Sequence, residues 1–239
     1  MVQNKINILS TGKLKQTLID FASSRNIHIQ DMSFIETKHL TTEKLSRQIM
    51  HFSHSLQQVV FTSERAVDAV VTMLSGLEPA WNIFCLGSAT KKGVQKHFRQ
   101  SRIMGTGVSA GSLADLIIKE KNISAVIFFC GDKRRTELPE KLTAAGIEVT
   151  QIEVYKTEET PQVISSPFSG IIFFSPSAVK SFFSVNKINK EPVLFAIGQT
   201  TAIEIARHAG NKILVSEEPS KDALVHRAIA YFQTHSIQN

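Results

Sequence analysis

The sequence predicts an α/β protein: two three-layer domains, each built on a parallel sheet, joined by a two-stranded β connector and bounding an interdomain cleft. Three observations predict it. Short β-branched or aromatic runs alternate with helical stretches along the 239 residues, the pattern of parallel strands with helices on both faces. Three strand–turn–helix units occur twice in the same order. A fourth unit also occurs twice, but out of order.

The ordered units come first. Val60-Phe61-Thr62-Ser63-Glu64-Arg65-Ala66-Val67 matches Ile172-Phe173-Phe174-Ser175-Pro176-Ser177-Ala178-Val179. Ile83-Phe84-Cys85-Leu86-Gly87 matches Leu194-Phe195-Ala196-Ile197-Gly198, with Thr90 on Thr201. Ile103-Met104 falls on Ile213-Leu214 at nearly the same separation. Each unit opens with a short apolar run suited to a strand buried on both faces. A small-residue turn follows, then a helix: about 65–73, 90–98 and its copy 200–208, and 111–119. The fourth unit, 127–149, aligns with 7–29 and puts Leu138 on Leu18 and Ile147 on Ile27.

A domain needs all four units. The contiguous set makes an inserted domain at 36–156; the leading fourth unit joins the trailing three to make a discontinuous one, 1–35 plus 157–239. The chain then crosses twice, in extended segments at about 27–37 and 147–157 that are expected to lie side by side and let the domains hinge.

Hydrophobic residues make up 42% of the chain, enough for a packed core. Cys85 and Cys130 lie inside apolar runs and read as small buried hydrophobes, not as a disulfide or a metal pair. The start of the chain lacks a secretory pattern, and no apolar run reaches membrane-spanning length, so a cytoplasmic protein without a membrane partner is expected. A net charge of +6 favours an anionic small molecule. Neither an aromatic-basic ribonucleoprotein pattern nor a cysteine–histidine finger is present, so nucleic acid is not expected. A monomer without cofactor or metal is expected.

In open parallel sheets ligands bind beyond the carboxyl ends of the strands. The turns there are Thr62-Ser63-Glu64-Arg65, Gly87-Ser88-Ala89-Thr90, Gly105-Thr106-Gly107, Gly131-Asp132-Lys133-Arg134, Ser175-Pro176-Ser177, Gly198-Gln199-Thr200-Thr201 and Pro219-Ser220. Several precede helices, where free amides and the helix dipole attract anions; the same residues are also ordinary helix caps. The charged run after Gly131 reads either as a solvated helix start or as an anion clamp. Gly105-Thr106-Gly107-Val108-Ser109-Ala110-Gly111 is one residue too long for a dinucleotide fingerprint. His51 and His54 lack further ligands, and Ser63 and Ser175 lack a nucleophile elbow.

These turns carry a resemblance. The run of 127–157, with Cys130-Gly131-Asp132-Lys133-Arg134-Arg135, Leu138-Pro139, Ala145-Gly146-Ile147 and Val154-Tyr155-Lys156-Thr157, resembles the most recognisable block of the uroporphyrinogen-III synthases. The Ser63, Ser175 and Gly198 turns and Glu218-Pro219-Ser220 agree with it, and the resemblance spans nearly the whole chain. One departure is Ser10-Thr11-Gly12-Lys13 in place of an Arg-Pro after the first strand.

The resemblance implies an enzyme that dehydrates and cyclises hydroxymethylbilane, a linear tetrapyrrole, with inversion of the last ring to give uroporphyrinogen III. It implies Tyr155 as the catalytic acid in water loss. It implies substrate contacts at Thr62, Ser63, Arg65, Gly87, Ser88, Ala89, Thr90, Gly131, Lys133, Arg134, Ser175, Ser177, Ala178, Gly198, Thr200, Thr201 and Ser220, with carboxylates held largely by backbone amides. Two alternatives stand beside it: a non-catalytic two-lobed sensor for an anionic metabolite, and a nucleotide-linked reductase.

Overall fold

The computed structural model describes residues 6–87, 89–218 and 220–235. The chain divides into two compact units, residues 1–36 with 158–239 and residues 37–157.

The first unit holds β1 (Ile6–Ser10), α1 (Gln16–Ser23), β2 (Ile27–Asp31), β9 (Gly170–Phe173), α7 (Pro176–Phe183), β10 (Val193–Ala196), α8 (Gln199–Ala206), β11 (Ile213–Val215) and α9 (Lys221–His235). Its sheet runs β11-β10-β9-β1-β2, and every pairing is parallel. The second unit holds α2 (Glu43–Ser53), β4 (Gln58–Phe61), α3 (Glu64–Leu74), β5 (Asn82–Leu86), α4 (Ala89–His97), β6 (Arg102–Gly107), α5 (Ala110–Lys119), β7 (Ala125–Gly131) and α6 (Glu137–Ala144). Two strands, β3 (Ile35–His39) and β8 (Glu148–Glu159), carry the chain from one unit to the other. The second sheet runs β3-β8-β7-β4-β5-β6, so these two strands are neighbours. Leu40 N–H donates to the Val154 carbonyl at 2.9 Å, and Thr160 N–H to that of Phe34 at 3.0 Å.

The central strands β4, β5, β7, β9 and β10 are buried on both faces, which is why they are apolar runs. Successive side chains point to opposite faces. Val59 and Phe61 of β4, with Ile127 and Phe129 of β7, pack under α2, α3 and α4. Val60 and Phe128 pack on the other face with Leu113 of α5 and Leu138 of α6. The first unit repeats the arrangement: Ile8, Ile172 and Phe195 lie against α1 and α9, while Leu9, Ile171 and Phe173 lie against α7 and α8. Trp81 is fully buried, and its indole N–H donates to the Phe52 carbonyl at 2.9 Å.

Local signals set the helix starts. The Ser63 side chain accepts from Ala66 N–H to cap α3, and Ser175, followed by Pro176 at the first turn, caps α7 through Ala178 N–H. Ser109 and Ser112 form a reciprocal capping box on α5. Gly107 must lack a side chain, because a Cβ there would lie 2.7 Å from Leu113 Cβ and 2.8 Å from its backbone.

One reading needs correction. Residues 27–31, read as the start of a connector, form β2, paired in register with β1 from Ile6↔Ile27 to Ser10↔Asp31. Ile27 and Ile29 are buried in the core of the first unit, and that burial pins the segment to the sheet. The crossing strand starts only at Ile35. The 147–157 segment is β8, which carries the chain across beside β3 and also pairs with β7 from Ala125↔Glu148 to Gly131↔Tyr155.

Candidate functional site

Within the second unit, the helices after β4 and β7 leave on opposite faces of the sheet: α3 packs with Val59 and Phe61, α6 with Val60 and Phe128. Adjacent parallel strands whose connections diverge leave a crevice beyond their carboxyl ends, the usual ligand position in such sheets. β4 and β7 are adjacent, with Phe61 opposite Phe129. The turns at this point are Thr62-Ser63 and Gly131-Asp132.

Tyr155 of β8 reaches across this point. Its hydroxyl lies 3.2 Å from Ser63 Oγ. Its ring packs against the core under α3 and lies over Gly131, where a Cβ would overlap ring carbons Cε2 and Cζ and stand 2.8 Å from the hydroxyl oxygen. Backbone bonds fix the strand: Asp132 N–H donates to the Tyr155 carbonyl at 3.2 Å, and Thr157 N–H to Asp132 Oδ1 at 3.0 Å. The register shifts between Cys130 and Gly131, placing Tyr155 opposite Gly131. The resemblance implies a substrate contact at Gly131; what the structure adds is the space it leaves for the ring, which depends on a bulge and has no sequence signature.

Arg134 is engaged elsewhere. Its Nε donates to Gln151 Oε1 at 2.6 Å, and its Nη1 pairs with Glu153 Oε1 at 2.7 Å. These bonds turn its Nε and Nη1 toward β8. Arg134→Gln is therefore expected to act on the 131–136 turn, costing at most about 1 kcal/mol as a partly exposed ion pair and altering turnover by less than about threefold; thermal melting and steady-state rates check both. Burial pushes the Cys130 thiol up to about 11, with the Arg134 charge opposing it. Burial likewise raises the Cys85 thiol. Both cysteines are buried and protonated at neutral pH, which rules them out as nucleophiles.

The remaining candidates sort by unit. In the second, Arg65 is exposed on the first turn of α3, and Thr62 is half-buried just before it. Gly87 N–H donates to the Gly107 carbonyl at 2.9 Å. Ala89 is exposed at the start of α4, whereas Thr90 is buried. Lys133 is exposed. Ser88 lies outside the described residues, as does Pro219. In the first unit, Ser175, Ser177 and Ala178 follow β9; Gly198, Thr200 and Thr201 follow β10; Ser220 caps α9 through Ala223 N–H at 3.0 Å. One expected amide is committed internally, Thr201 N–H to the Gly198 carbonyl at 3.1 Å, and the neighbouring Ala178 N–H goes to Ser175 Oγ at 3.2 Å.

Sequence reasoning carried no ligand contacts over to the loop after β1. In the structure it brings cations together beside α9: Lys13, Lys15, Lys221 and Asp222 line a groove of about 300 Å³ with Leu14 and Leu18. Lys15 pairs with Asp222 at 2.9 Å and Lys13 with Asp31 at 3.1 Å. Lys221 reaches the Lys13 carbonyl at 3.4 Å, a contact joining positions far apart in the chain. Among the described residues, no group of three or more His, Cys, Asp or Glu is placed to hold a metal ion.

A family model described as uroporphyrinogen-III synthase HemD matches residues 23–226. The chain belongs to the uroporphyrinogen-III synthase family. It is 25% identical to the uroporphyrinogen-III synthase of Saccharomyces cerevisiae, the match covering 78% of this chain and 80% of that protein. Its fold is that of the uroporphyrinogen-III synthetase of Helicobacter pylori, with a TM-score of 0.68 at 19% identity over 95% of this chain and 99% of that one. A mutant uroporphyrinogen III synthase of Thermus thermophilus gives a TM-score of 0.66 at 13% identity over 98% and 99%. At such low identity the likeness is one of fold.

Proposed function

We propose that this chain performs its family's reaction: it dehydrates and cyclises hydroxymethylbilane, inverting the last pyrrole ring, to yield uroporphyrinogen III. The enzyme class is a cyclising hydro-lyase of heme biosynthesis. The observation that carries the mechanism is Tyr155 in hydrogen-bonding distance of Ser63 at the β4/β7 divergence.

The reaction needs two things from the protein. An acid must donate to the terminal hydroxyl so that the carbon–oxygen bond breaks with its electron pair leaving as water. Tyr155, with its phenol O–H, is the group proposed to give the proton. The cationic azafulvene left behind is then attacked by the far pyrrole at its substituted carbon. The spiro intermediate fragments and recloses with that ring inverted, and the ring carbon gives up the proton that returns to Tyr155. Because the linear substrate also closes unaided to the uninverted isomer, the second need is positioning.

Carboxylates on every pyrrole suit the turns at the strand carboxyl ends. In this reading the Ser63 backbone amide, with Arg65, Gly87, Ala89, Lys133, Ser175, Ser177, Gly198, Thr200 and Ser220, holds them, while Thr62, Thr90, Ala178 and Thr201 shape the turns. The lysines of the β1 loop and Lys221 add a cationic flank in the first unit. The protein works as a cytoplasmic monomer on this small molecule alone. Among the described residues, no helix is long and apolar enough to cross a membrane.

The test is isomer analysis of the porphyrin formed from fresh hydroxymethylbilane, with and without the protein. The type III isomer should predominate only with the protein. An unchanged isomer ratio together with tight substrate binding would favour the two-lobed sensor.

A further inference from the structure

We propose that Ser63 is the positioning residue of Tyr155: its hydroxyl, polarised by the start of α3, donates to the phenol oxygen and leaves the tyrosine proton directed at the ligand. The proposal rests on the reading of Tyr155 as the proton donor.

One oxygen serves two contacts. Ser63 Oγ accepts from Ala66 N–H at 3.2 Å and lies 3.2 Å from the Tyr155 hydroxyl. A hydroxyl has one proton and two acceptor lone pairs, so the Ala66 bond leaves the Ser63 proton uncommitted. A hydroxyl that accepts a hydrogen bond becomes a stronger donor in turn. Ser63 also sits at the N-cap of an 11-residue helix, where the positive end of the dipole favours electron density on a neighbouring acceptor. Both effects favour the direction Ala66 N–H to Ser63 Oγ–H to Tyr155 Oη. In the reverse direction the tyrosine proton would be held by Ser63, and a departing hydroxyl would meet a lone pair.

The direction matters when the proton leaves. As the Tyr155 O–H bond breaks and its proton passes to the departing hydroxyl, negative charge collects on the phenol oxygen. That charge lands at the end of a donor relay anchored in a helix N-terminus. The Ser63 proton stays on its own oxygen throughout, and the phenolate is neutralised by the proton released when the ring recloses. The ring has no slack, since it lies on Gly131 and against the core under α3. Three separate segments, the ends of β4 and β7 and the middle of β8, therefore fix one oxygen.

The experiment compares kcat, KM and melting temperature for Ser63→Gly, Ser63→Ala and Ser63→Thr, each in the native and Tyr155→Phe backgrounds. Glycine is a competent N-cap, so Ser63→Gly removes the hydroxyl with little loss of the helix start. With Tyr155 present, Ser63→Gly should lower kcat about tenfold, the size of one hydrogen bond, with KM within about twofold; Ser63→Thr should restore most of it. In the Tyr155→Phe background the same change should alter kcat by less than about twofold, and the fall in melting temperature should be no larger there than in the native background, where the Ser63–Tyr155 bond is lost as well. Equal kcat losses in both backgrounds would overturn the positioning role and make the Ser63 hydroxyl itself an independent substrate contact. An unaltered kcat in Ser63→Gly would reduce Ser63 to a cap. A Tyr155→Phe variant that keeps the native rate of type III formation would remove the acid reading itself, and this proposal with it.

Discussion

Tyr155→Phe should slow formation of uroporphyrinogen III about 10²-fold, the lower end of what a positioned acid contributes, because water can reach a half-buried hydroxyl and substitute in part. The substitution keeps the ring, and with it the packing over Gly131 and against the core under α3. It removes one hydrogen bond, to a serine that still caps its helix through Ala66. Stability should change by about 1 kcal/mol or less, and affinity for the product, which has no departing hydroxyl, should hold. Single-turnover rates with isomer analysis decide the matter. If the Phe variant makes the type III isomer at the native rate while chemistry limits turnover, Tyr155 is not the acid.

Gly131→Ala should come close to the same loss by a different route. The added Cβ overlaps the Tyr155 ring, so either the ring or the strand must shift. The ring sits on a rotatable side chain and gives first. Its movement limits the folding cost to about 1–2 kcal/mol, the range of mild overpacking. The hydroxyl at its tip is carried away from Ser63, and a displacement of an ångström at a reacting group can cost about 10²-fold in rate. The two changes should not multiply: Gly131→Ala with Tyr155→Phe should turn over no more slowly than Tyr155→Phe alone. Multiplied losses would mean that Gly131 acts on the substrate and not through the tyrosine. Steady-state kinetics of the four proteins, with melting temperatures as control, separate the cases.

The fold was legible because its signals are local and repeated. The copies at Val60 and Ile172, Ile83 and Leu194, and Ile103 and Ile213 become β4 and β9, β5 and β10, and β6 and β11, at equivalent places in the two sheets. Strands buried on both faces are apolar runs, and α3, α5 and α7 start at the capping serines Ser63, Ser109 and Ser175, so both leave marks that one sequence can show. The 27–31 segment misled because a strand and an extended connector share the same β-branched alternation; only the core beneath Ile27 and Ile29 tells them apart. The site was legible as a set of turns and not as an arrangement. Ser63 and Tyr155 stand 92 positions apart, and their meeting depends on strand order and on a bulge at Gly131. The pairing of Arg134 with Gln151 and Glu153 is likewise hidden, because they lie on a neighbouring strand that the linear sequence does not place beside it.

The way the first sheet is stitched has a consequence for how the protein is made. β1 lies inside that sheet, between β2 and β9, with Ile8 opposite Gly170. A ribosome finishes β1 and β2 early, then makes the whole of the second unit before any residue of β9 exists. At usual elongation rates that interval is on the order of ten seconds. Throughout it Ile8 and Leu9, which end wholly buried, have one strand partner and one helix for cover. The second unit meets no such delay, since its strands β4 to β8 emerge in a single stretch. Synthesis therefore delivers one finished unit trailing an apolar, half-paired leader, and the first unit closes last, when residues near the other end of the chain arrive to receive it.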